Sequence, residues 1–181
     1  MLPFAQSEFT FVNWFSSGVK TADGAMDRLV DWQKASMRWV RIEVMARDLG
    51  AVAEKPGRSD WAKVCQKWQD GLRGLRLKIV ATWPPMVAEK GRLTSSVAEE
   101  FSDESKHGEE RCLPTLCEGW QWAEEQGLAR LQALERLEVE LDVAEWSAAR
   151  KVAWCQKLER VLVAAGRTGV EVACVEQVGR A

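Results

Sequence analysis

The sequence predicts an all-α protein: a bundle of four or five long amphipathic helices, connected up and down, with no significant sheet. Three observations carry that expectation. Apolar residues recur at steps of three, four and seven over most of the 181-residue chain, the spacing that lines one face of a helix. Capping residues precede several of these runs. Ten tryptophans against no tyrosine supply large apolar bodies for a packed core. One domain is expected at this length. It divides into an aromatic N-terminal arm or helix extension (1–20), a first helical half (21–101), an acidic loop (102–114) and a second helical half (115–181).

The first long helix is read over Thr21 to Ala53. Asp27, Asp31, Lys34, Arg38, Arg41 and Asp48 form a narrow polar stripe, flanked by one apolar row through Met26, Val30, Met37, Val40 and Val44 and another through Leu29, Trp32, Trp39, Ile42, Ala46 and Leu49. Such a face is wider than one neighbouring helix needs. Lys55-Pro56-Gly57 breaks the run. Ser59 then reads as an N-cap, opening a heptad-like seam through Trp61, Val64, Trp68, Leu72, Leu75, Ile79 and Trp83 that Pro84-Pro85 ends. Gly71 and Gly74 sit inside that seam at a cost of roughly 1 kcal/mol each relative to alanine, and close helix packing would explain them. Met86 to Phe101 reads as a third helix, and Ser102 to Pro114 as a long loop. Thr115 with Glu118 resembles a capping box before Leu116, Trp120, Leu134, Leu137 and Leu141. Asp142 with Glu145 would cap the next helix, through Trp146, Trp154, Leu158 and Leu162, with Gly166 as its C-cap. Thr168 to Val178 alternates like a strand, but with no other strand predicted, helix is the preferred reading. No internal repeat is evident.

Net charge is −2, but the charges are segregated. Residues 51–92 hold nine basic and four acidic side chains, and residues 93–145 hold four basic and fourteen acidic ones. Blocks of opposite sign can pair inside the bundle or set the register of self-association. The five cysteines are odd in number and scattered, which suits a reducing cytoplasm. The first twenty residues lack the basic start of a signal peptide, and no apolar run is long enough to span a bilayer.

Catalytic patterns are missing. A single histidine, His107, leaves little for acid–base or metal chemistry. Glu104-x-x-His107 matches half of a di-iron motif, but such sites draw a histidine from each of two helices. His107, Cys112 and Cys117 are spaced for a metal yet want a fourth ligand. Lys63, Lys67, Arg73, Arg76 and Lys78 interleave with tryptophans, as in single-strand binders. Those tryptophans occupy the apolar seam, so no specific nucleic acid is expected. No cofactor, metal or enzymatic activity is expected either.

Trp32-Gln33-Lys34, Met37 and Trp39, the break at Lys55-Pro56-Gly57, then Asp60-Trp61 and Gln66-Lys67-Trp68-Gln69 resemble the helix–break–helix pattern of phasins, the bacterial proteins that coat polyhydroxyalkanoate granules. The resemblance covers about residues 10–90 and implies a non-enzymatic coat that lays amphipathic helices on an apolar polymer or lipid surface. The alternative is a protein–protein adaptor or self-assembling helical module, binding a helical partner or a second copy. Either would use a surface containing Trp14, Phe15, Trp32, Met37, Trp39 and Ile42.

Overall fold

The computed structural model describes residues 8–12, 18–46, 48–49, 60–80, 116, 119–124, 127–143 and 146–175. Within them the chain alternates strands and helices. In order these are β1 (Glu8–Phe11), α1 (Gly18–Arg28), α2 (Asp31–Ser36), β2 (Trp39–Met45), α3 (Asp60–Trp68), β3 (Gly74–Val80), a single 3-10 turn (Leu128–Arg130), β4 (Arg136–Asp142), α4 (Ala148–Ala164) and β5 (Glu171–Cys174). All five strands are parallel and lie side by side in chain order. This is an α/β fold built on a parallel sheet. The expected all-α bundle, and any coiled coil within it, is overturned.

The physical reason lies in spacing. A step of four keeps two residues on the same side of a helix and also on the same face of a strand. Leu75 and Ile79, or Leu137 and Leu141, therefore satisfy both patterns. The residues between them decide, and there the period is two: Val40, Ile42 and Val44; Leu75, Leu77 and Ile79; Leu137, Val139 and Leu141 are all buried, with charged side chains between them. The stretch read as one helix over 21–53 is thus divided into α1, α2 and β2. The 61–83 seam becomes α3 followed by β3, and Leu137 and Leu141 belong to β4. Residues 171–174 form strand β5, because β4 is there to pair with it. Ser147, not Asp142, caps the last helix, its Oγ accepting from Arg150 N at 3.3 Å. The expected breaks at Lys55–Gly57, Pro84–Pro85 and Ser102–Pro114, the third helix over 86–101, and Trp14, Phe15, His107, Cys112 and Cys117 all lie outside the described residues.

Register stacks the inward residues in rows across the sheet. Phe9, Val40, Leu75, Leu137 and Val172 form one row, and Phe11, Ile42, Leu77, Val139 and Cys174 the next. The helices cover this face. Val19, Ala22 and Met26 of α1, Trp61, Val64, Cys65 and Trp68 of α3, and Trp154, Cys155, Leu158 and Leu162 of α4 join these rows in one core. Each fully buried aliphatic or aromatic side chain there contributes about 1.5–3 kcal/mol. Lys67 ties α3 to α1, donating to Asp23 Oδ1 and Asp27 Oδ1 at 2.6 Å each. A Cβ at Gly18 would overlap the Glu43 carbonyl, so glycine lets α1 start against β2.

Between β3 and β4 the layer is filled mainly by tryptophans. Trp122 stacks on Trp154 with centroids 6.1 Å apart and planes 9° from parallel, and Trp120 lies 5.1 Å from Trp154. Trp61 Nε1 donates to the Trp122 carbonyl at 2.8 Å, and Trp154 Nε1 to the Leu116 carbonyl at 2.6 Å. Six of the eight described tryptophans are therefore core, and only Trp32 and Trp39 are exposed.

Candidate functional site

Alternation sends every second strand residue to the face away from the helices. There the rows read Glu8, Trp39, Gly74, Arg136 and Glu171, then Thr10, Arg41, Arg76, Glu138 and Ala173, then Glu43, Lys78 and Glu140. Parallel sheets are usually apolar on both faces. This one is charged on its second face.

The charges are organised around Glu140, the one buried charged residue among those described. Its Oε2 meets Arg76 Nη2 at 3.4 Å and Arg41 Nη2 at 3.5 Å. Lys78 bridges strands β2 and β4, reaching Glu43 at 3.4 Å and Asp142 at 3.5 Å, and Arg136 Nε donates to Glu138 at 3.0 Å. The Arg76 Nε–H is buried without an acceptor. The face is therefore ion-paired rather than of one sign.

Trp39 stands at the end of this network where the strands begin. It is 41 % exposed, large for an indole. Its ring lies across Gly74, where any Cβ would collide with the ring carbons. Beside it opens a cleft of about 190 Å³ lined by Glu8, Trp39, Arg76, Arg136 and Glu138 over the Val40 and Leu75 backbone rows. An exposed tryptophan flanked by arginines is the composition of protein-binding hot spots. Among the described residues no group of three His, Cys, Asp or Glu side chains converges to hold a metal ion.

The four described members of the predicted surface separate by face. Trp32, on α2, is 50 % exposed and Trp39 is on the open sheet face, whereas Met37 and Ile42 are buried at 1 % and 0 %. Trp39 and Ile42 share a side only on a helix; three residues apart on a strand they point oppositely. The sequence reading missed Arg41, Gly74, Arg76, Arg136, Glu138 and Glu140 as members of a site. A signal for them exists. Met37-x-x-Val40-x-Ile42-x-Val44, Leu72-x-x-Leu75-x-Leu77-x-Ile79 and Leu134-x-x-Leu137-x-Val139-x-Leu141 are one pattern repeated, with the charged residues at its x positions. The backbone repeats with it: Gly74 N donates to the Arg38 carbonyl, Arg136 N to that of Arg73, and Glu171 N to that of Glu135. The chain is a stack of similar strand–connection units, contrary to the expectation of no repeat.

No described helix is long and apolar enough to cross a membrane. No protein-family model matches the chain, and no significant match joins it to a curated protein or a solved structure.

Proposed function

We propose that this protein is a non-enzymatic interaction module that docks a partner protein on the open face of its sheet, with Trp39 as the anchor. The single observation that carries this reading is the half-exposed Trp39 indole seated on Gly74 amid paired charges. Stacked strand–connection units offer an extended rigid surface, a form suited to binding. An indole loses little conformational freedom on burial, and neighbouring arginines can form directional hydrogen bonds with a partner's carboxylates. The partner this chemistry favours presents an apolar side chain to Trp39 and charges of both signs around it. The scattered cysteines support a cytoplasmic setting. The granule-coating reading drew its physical support from a continuous wide-faced helix over 21–53, and α1, α2 and β2 divide that stretch.

A photoreactive amino acid introduced at Thr10, on the open face, tests the proposal against one at Val163, exposed on α4. Cross-linking in cells from position 10, lost with Trp39→Glu, is the expected result. A second copy of the chain as the captured partner would assign the face to self-association. Equal capture from both positions, or capture indifferent to Trp39→Glu, would sink the proposal.

A further inference from the structure

Two thiols meet at the edge of the fold. Cys155 lies on the buried side of α4, 3 % exposed, and Cys174 lies on the helix-facing side of β5, opposite Val139 of β4 and packed against the same core. The helix α4 packs on β5, and the Cys174 side chain lies near enough to Cys155 to disfavour its ionisation. Both are free, and Cys174 is partly exposed while Cys155 is covered. β5 is four residues long and, like β1 at the other edge of the sheet, pairs with a single neighbouring strand, so it has few ties to lose. The pair therefore spans α4 and an edge strand of the sheet.

We infer that Cys155 and Cys174 are a reversible modification site, closing to a disulfide when the protein meets a hydroperoxide. The asymmetry of exposure sets the order of events. The Cys174 thiolate, its proton gone to solvent, attacks the outer oxygen of the peroxide; the O–O bond breaks and Cys174 becomes a sulfenic acid. The Cys155 sulfur then attacks the Cys174 sulfur, its own proton leaving with the hydroxyl as water. Two electrons pass from the sulfurs to the peroxide, and two thiols plus one hydroperoxide yield one disulfide, one alcohol or water, and one water. Burial pushes the Cys155 thiol well above its ordinary value, so the covered Cys155 is the poorer first target and the partly exposed Cys174 meets the peroxide first. Cys65, wholly buried under the sheet on α3, is shielded from the same reagent. The bond staples α4 to β5 and holds the sheet edge closed.

The experiment treats the full reduced chain with hydrogen peroxide, alkylates the remaining thiols, digests with trypsin and weighs the peptides. The expected result is a linked pair, Val152–Lys157 joined to Thr168–Arg180, lighter by two hydrogens and separated by a reductant. Amide hydrogen exchange over Val172 to Val175 should slow several-fold in the linked form. Cys174→Ser, a change at the partly exposed partner, should fold normally and leave no link. Cys174 recovered as a sulfinic acid or joined to another cysteine, with Cys155 still free, would overturn the assignment. A link that leaves β5 exchange unchanged would overturn the staple.

Discussion

Trp39 occupies the space above Gly74, its Cα partner on the neighbouring strand, that any larger residue there would need for its own side chain. One residue's absence of a Cβ thus sets another's position on the open face. Gly74 does not hold a left-handed backbone conformation, so the requirement is space and not φ.

Gly74→Ala should therefore dislodge the indole without disturbing the strand. Overpacking of this kind costs about 1–3 kcal/mol, and relocation of an exposed ring belongs at the lower end. Chemical denaturation gives the loss. The Trp39-dependent cross-link from position 10 should fall with it, as it does in Trp39→Glu. Gly74→Ala with unchanged stability and unchanged cross-linking would show that the seat is unimportant.

Trp68→Ala tests the core. Trp68 is 2 % exposed, its Nε1–H points to Met26 Sδ at 3.1 Å, and its ring lies 6.0 Å from that of Phe11. Truncation removes contacts to α1 and β1 at once and should cost about 3–5 kcal/mol in denaturant unfolding. A loss under about 1 kcal/mol would mean that the cavity collapses freely and the packing is loose.

Glu140 holds Arg41 and Arg76 together across three strands. Glu140→Gln removes the charge while keeping the shape. The arginine side chains remain 39 % and 30 % exposed, so water can take over part of the lost interaction. The expected loss is about 1–3 kcal/mol, below the cost of breaking a fully buried pair. Arg76→Lys in the same background should add little further, since its partner is already gone. A double-mutant cycle measures this, and full additivity would argue against the network.

The α1–α3 clamp makes a pH prediction. The Lys67 hydrogen bond lowers the Asp27 carboxyl below its usual 3.8. Burial works against the Lys67 ammonium, but hydrogen bonds to Asp23 and Asp27 outweigh it and raise its pKa above 10.5. A depressed carboxyl contributes stability above its unfolded value and loses it as pH falls through its folded value; a raised ammonium contributes below its unfolded value and loses it as pH rises through its folded one. The advantage of the native chain over Lys67→Met should accordingly be flat at neutral pH. It should shrink below pH 3.8 and again above pH 10.5. An advantage that persists unchanged at acidic pH would mean that Lys67 acts through its methylene stem rather than its charge.

Much was legible in the residues alone. Of the apolar positions named from spacing, Met26, Trp61, Val64, Trp68, Leu75, Ile79, Leu137, Leu141, Trp154, Leu158 and Leu162 are buried, while Val30, Trp32 and Trp39 are exposed; apolar character favours burial whatever element carries the residue. The helical part of α1, α3 and α4 was legible too, since 3.6-residue periodicity has no competing explanation there. Only the tertiary structure decided which apolar runs are strands. A strand has no partner in its own sequence neighbourhood: Val40 pairs with Leu75, and Leu75 with Leu137, so the hydrogen bonds that stabilise β2, β3 and β4 are all long-range. Parallel pairing hides them further, since no tight hairpin turn marks the join. The same pairing decided the face of each side chain. It turned Trp39 outward and Ile42 inward, gathered Arg41, Arg76 and Glu140 from three distant segments, and brought Cys174 back to Cys155.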